Sequence, residues 1–167
     1  MKFWDSKTKH NMKRYVFQCS LATLSIMIIL LFLNSFVYTT IIASLGATTF
    51  IAFTMPNAYA AKKRNILGGY FLGIIIGIIF NNMSNYILSL NSSLSLHTIY
   101  IFTGALSVGV TIFLMTVTNT EHPPSVGMAL SLVLSPWNYK TILFVVLSVC
   151  LMVITKRLLR KWLIDLN

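Results

Sequence analysis

The run Thr118-Asn119-Thr120-Glu121-His122-Pro123-Pro124-Ser125 concentrates the chemistry of this chain. A histidine can donate to an anion or move a proton close to neutral pH. Proline is tolerated in the first helical turn, where its missing N–H would be unpaired anyway, so Pro123-Pro124 marks a helix start. The same prolines hold His122 extended ahead of that helix. Unpaired N–H groups at a helix start make a positive pole that attracts anions. His122 thus reads either as an anion-binding or proton-moving group, or as a loop histidine beside a helix start. Glu121 is the only acid between Asp5 and Asp165. It reads as a functional ion or as a plain interfacial acid, with Arg64 as its expected ion-pair partner.

Other chemistry is sparse. Phosphate-binding glycine loops, metal-ligand clusters and a Ser/His/Asp set in a polar domain are all missing from the sequence. Catalysis would rest on His122 and Glu121 almost alone, so the chain reads as a non-enzyme without cofactor or metal. Cys19 and Cys150 both fall in apolar runs and suggest no disulfide or metal chemistry. Gly69, Gly73 and Gly77 recur every fourth residue and set a flat face on one helix side, where another backbone can approach closely. Asn81, Asn82 and Asn85 follow as interfacial polar residues.

The elements that position these residues must lie in a bilayer. Hydrophobic residues make up 56% and charged residues 10% of the 167, with mean hydropathy +0.78. Soluble domains carry about a quarter charged residues. No ionised residue lies between Arg14 and Lys62 or between Arg64 and Glu121, and about 20 apolar residues cross the hydrocarbon core. The net charge of +10 sits in three basic groups beside apolar segments, around Lys2–Arg14, Lys62–Arg64 and Lys156–Lys161. Such groups anchor topology, and no soluble domain remains to present a nucleic-acid surface. The first apolar run, Tyr15–Leu33, is too long for a signal-peptide core. Ala58-Tyr59-Ala60 resembles a cleavage site but lies too far downstream, so the first span reads as uncleaved.

Six apolar segments follow: Val16–Leu33, Thr39–Met55, Ile66–Leu88, Leu96–Val117, Pro123–Ser135 and Thr141–Thr155. Each half reads long, short, long. Ser44-Leu45-Gly46 in the first short segment matches Ser125-Val126-Gly127 in the second, each with a proline about a dozen residues on. With the N-terminus inside and every segment crossing, residues 62–64 and the basic C-terminus also fall inside, and only Lys140 is misplaced. Three crossings per half make the second half an inverted copy of the first, an arrangement typical of transporters. Four spans with two membrane-dipping loops is the alternative. The expected organisation is a basic cytoplasmic N-terminus at 1–15, a first membrane repeat at 16–88, a second at 96–158 and a short cytoplasmic tail at 159–167.

His122-Pro123-Pro124 resembles the signature of the HPP family of integral membrane proteins. Ser44-Leu45-Gly46-Ala47 is similar to that family's Ser-Phe-Gly-Ala segment. Pro56 with Arg64-Asn65-Ile66-Leu67-Gly68-Gly69 resembles its Pro…Arg-Asn-Val-Ile-Gly-Gly stretch, and Ala129-Leu130 fits the Ala-Leu that follows His-Pro-Pro. The chain departs from the pattern at Tyr70, where the family usually has histidine, and at Gly127, shifted by one. The chain also ends too soon for the soluble C-terminal domain of some relatives. The resemblance implies four spans, against the six read from charge, and an association with nitrite transport.

The sequence thus predicts an all-α integral membrane protein of four to six spans, in a bacterial inner membrane with both termini cytoplasmic. It is expected to act as a homo-oligomeric transporter or channel for a small, nitrite-like anion. The expected site is Ser44 and Gly46 at one helix start, Arg64 and Asn65, and Glu121, His122, Pro123, Pro124 and Ser125 at another. Gly69, Gly73 and Gly77 are expected to pack helices. The competing reading is a non-transporting membrane subunit that packs with or regulates a larger partner.

Overall fold

The computed structural model describes residues 6–32, 39–90 and 95–166. Within them run six α-helices and no strand: α1 Ser6–Phe32, α2 Thr39–Thr54, α3 Lys63–Leu90, α4 Leu96–Thr118, α5 Pro124–Leu134 and α6 Tyr139–Leu158. A 3-10 turn at Tyr59–Ala61 leads into α3. The helices α3, α4 and α6 are each long and apolar enough to cross a membrane. On their outer faces large apolar side chains stand in the open, Phe113 and Val117 of α4 at 66% exposure each. Lipid solvates such faces, whereas a soluble monomer rarely exposes apolar patches of this extent. The chain is an integral membrane protein.

Contacts fix the direction of each helix. Gln18, in the first half of α1, donates from Nε2 to the Phe53 carbonyl near the end of α2 (2.5 Å) and to the Ile164 carbonyl (2.9 Å). The Leu166 N–H donates to the Thr54 carbonyl (2.8 Å), and Tyr15 donates to the Leu166 carbonyl (2.5 Å). Arg64, at the start of α3, donates to the Thr118 carbonyl at the end of α4 (2.8 Å). The start of α1 and the ends of α2, α4 and α6 therefore share one face with the starts of α3 and α5. Helix direction alternates along the chain, and residues 62–64 lie on the face that carries both ends of the described chain. Lys140 lies in the first turn of α6, at the opposite end of the bundle. The tail after Leu158 does not hang free, because Leu163 is buried against Ala52 and Phe53.

The short helix α5 occupies the centre. Its Met128, Ala129, Leu132 and Val133 are fully enclosed, and Met128 and Leu132 share one core with Ile41 and Leu45 of α2, Ile66 of α3 and Val145 of α6. Gly69, Gly73 and Gly77 allow this placement. A Cβ on Gly77 would lie 2.9 Å from the Ala129 carbonyl oxygen, and one on Gly73 would collide with that of Ser125. The glycine face thus meets α5 of its own chain. With 11 residues, α5 is about 16 Å long and cannot span the core by itself. Asn81 donates to the Val133 carbonyl near its far end (3.4 Å).

Candidate functional site

The chain turns inward before α5. At the end of α4, Asn119 adopts a left-handed conformation (φ 58°) and the Thr120 N–H donates to the Met115 carbonyl (2.9 Å). Asparagine tolerates this region because its short polar side chain bonds locally, and the arrangement closes the helix end. The Tyr59 hydroxyl donates to the Asn119 side chain. Thr120 then packs on Gly68, and His122 on Gly69, where an added Cβ would lie 2.9 Å from His122 Cβ. Gly69 is about 9 Å along α3 from its first residue, at 1.5 Å per residue. The start of α5 is therefore set into the protein, level with the middle of α2.

His122 is fully enclosed, at 0% exposure. Its Nδ1 lies 2.8 Å from the Ala60 carbonyl oxygen and its Nε2 lies 2.9 Å from Thr48 Oγ1. A carbonyl only accepts, so Nδ1 carries the proton, and in the neutral ring Nε2 accepts from Thr48. The Tyr70 hydroxyl reaches Thr48 Oγ1 at 2.8 Å and Ser44 Oγ at 3.1 Å, while Ser44 donates to the Pro124 carbonyl (2.6 Å). The Tyr70 and His122 rings tilt together with centroids 5.7 Å apart. Asn65 secures the turn, donating from Nδ2 to the carbonyls of Tyr59 (3.0 Å) and Glu121 (3.2 Å). Ser125 Oγ is buried with no hydrogen-bond partner.

This geometry brings Ser44, Asn65, His122, Pro124 and Ser125 together and corrects several sequence expectations. Ser44 is not at a helix start but in the second turn of α2. Gly46 faces away, toward Ile26 of α1. Pro123 is exposed. The first donors of α5 are not free: the prolines have none, the Ser125 N–H donates to the His122 carbonyl (2.9 Å) and the Val126 N–H to that of Pro123 (3.1 Å). No ion pair joins Arg64 to Glu121, since Arg64 bonds to the Thr118 carbonyl and Glu121 points outward. Nor is His122 a cation near neutral pH. It lies in the turn outside the helices, and burial pushes it down to about 4, with the nearby Lys156 charge adding and the Ala60 hydrogen bond opposing.

Three participants escaped the sequence reading: Thr48, Tyr70 and the Ala60 carbonyl. Thr48 was findable, one helical turn after Ser44 and so on the same face. Tyr70 drew notice only as a departure from the resembled pattern, and its hydroxyl joins Thr48 to Ser44. The role of Ala60 depends on a backbone oxygen, which carries no sequence signal.

Residues 7–163 match the family described as HPP, transmembrane region. No curated protein and no solved structure matches the chain.

Proposed function

The chain belongs to the HPP transmembrane family, and from that premise we propose that it is a transporter or channel for a small solute, a nitrite-like anion being the best candidate. One observation carries the reading: a buried polar chain, His122–Thr48–Tyr70–Ser44, converges on the inset start of the short central helix. Polar groups are costly in a membrane interior and tend to mark solute pathways, and broken helices that start within the protein are a common transporter device. Ser125 Oγ adds a hydroxyl with no partner of its own.

The residues also favour an anion. Neutral hydroxyls, Ser125 Oγ among them, can donate to a passing anion without a fixed charge that would hold it too tightly. Cations gather on the face toward which the His122 turn opens, and Arg64 is among them. Passage requires the Thr48–His122 bond to open, so His122 acts as a gate rather than a charge. We read the two halves as inverted copies related through α2 and α5, and the protein as a homo-oligomer that catalyses no reaction. We place it in a bacterial inner membrane with the face that carries both termini in the cytoplasm.

Flux into proteoliposomes holding the purified protein alone tests the reading. Nitrite uptake should exceed protein-free controls once nitrous acid leak is subtracted, and His122→Ala and Thr48→Val should change it while the protein still melts cooperatively. Flux equal to protein-free liposomes at every pH would replace this reading with that of a non-transporting membrane subunit.

A further inference from the structure

A second site lies on the other side of the Tyr59–Ala61 turn. There a cavity of about 580 Å³ opens between the end of α6 and the loop before α3, lined by Lys62, Lys63, Lys156, Arg157 and Arg160. No acid lines it. Asp165, in the adjoining tail, already accepts from the Asn57 N–H (3.0 Å) and Nδ2 (2.9 Å). Two ordinary causes place cations here: the positive-inside bias of membrane loops, and the negative pole at the end of α6, which suits Lys156 and Arg157. The first puts Lys62 and Lys63 on this face, but neither requires them to line the same hollow as the α6 cations. They sit at the start of α3, the positive pole of that helix, where cations are disfavoured.

The five cations outnumber the one nearby acid, Asp165, so the hollow keeps a net positive charge that a bound anion would offset. Two of the cations are held in position: the Lys156 ammonium donates to the Ala61 carbonyl, and that of Lys62 lies 4.7 Å from the centroid of the Tyr59 ring. The floor is apolar, formed by Val153 and Leu163. A cationic rim around an apolar floor, at the end of a membrane-spanning helix, suits a phosphate with hydrocarbon attached.

We infer that this cavity binds a phosphate-bearing anion, with the headgroup of an anionic phospholipid as the fitting source and free phosphate as the other. The site is independent of solute transport. The test uses the delipidated full chain in neutral detergent, with its melting temperature followed on addition of phosphatidylglycerol, phosphatidylcholine or inorganic phosphate. Phosphatidylglycerol should stabilise the protein where phosphatidylcholine does not. The Lys62→Gln/Arg160→Gln double variant keeps the Lys156–Ala61 bond and should need about tenfold more of the anionic lipid. An equal, variant-sensitive rise with inorganic phosphate alone supports the site and assigns it to the free anion. Equal effects of the two lipids with none from phosphate, or a double variant that responds like the parent, would overturn the inference. Because the readout is binding, its failure and the failure of transport are distinguishable.

Discussion

Thr48 Oγ1 and His122 Nε2 lie 2.9 Å apart, although 74 residues separate them in the chain. The bond pins the turn before α5 to the middle of α2, and Tyr70 of α3 closes on the same hydroxyl at 2.8 Å.

Removing that hydroxyl should be costly. Thr48→Val leaves His122 Nε2 and the Tyr70 hydroxyl short of a buried partner, which costs about 1–3 kcal/mol. Tyr70→Phe removes one donor and should cost about 1 kcal/mol. Thermal unfolding in detergent measures both. Additive losses in the double variant would show that the two hydroxyls do not act as one network.

The burial of His122 sets a pH dependence of stability. Well above 6.5 the folded and unfolded states both hold it neutral, and its full contribution is present. As pH falls from 6.5 toward about 4, the unfolded chain takes up a proton that the folded chain refuses, so stability drops. The whole window corresponds to roughly 3 kcal/mol. His122→Gln should lose this part of the pH slope, and identical slopes in the two proteins would show that His122 is not what titrates.

The glycines of α3 make a graded test. Gly73→Ala and Gly77→Ala push a methyl group into backbone oxygens of α5 and should destabilise by about 1–3 kcal/mol. Gly109→Ala on α4 meets nothing within 4 Å and should be neutral or mildly stabilising. A normal melt for Gly77→Ala would place α5 elsewhere.

Helix direction can be read by cysteine labelling in a background lacking Cys19 and Cys150. Ser93 is the natural probe of the α3–α4 loop but lies outside the described residues, and Lys140 serves instead. Lys63→Cys and Arg160→Cys should react from one side of the membrane and Lys140→Cys from the other. Reaction of Lys63→Cys and Lys140→Cys from the same side would restore the four-span alternative.

Much of the architecture was legible in the residues. Long runs without charge admit only helices in a bilayer, because no water is available there to satisfy an open backbone. Pro123-Pro124 marked the start of α5 to within a residue, since proline lacks the N–H that later turns need. The four-residue glycine spacing announced a close helix contact. The sequence left open which helix fills that face, since spacing describes one surface and not its partner.

Only the tertiary structure decided what the start of α5 offers. The Ser125 and Val126 N–H groups, taken as free from the sequence, are bonded by the carbonyls of His122 and Pro123, a matter of local backbone geometry. His122 keeps its neutral form because Gly69, Thr48 and Ala60 enclose it, and desolvation acts through neighbours that are 53 to 74 residues away in sequence. The convergence of Lys62 and Lys63 with the end of α6 likewise depends on the packing of distant helices. Periodicity and charge determine which segments cross a membrane, because each span meets lipid on its own. Polar contacts between spans depend on the packed arrangement of all of them.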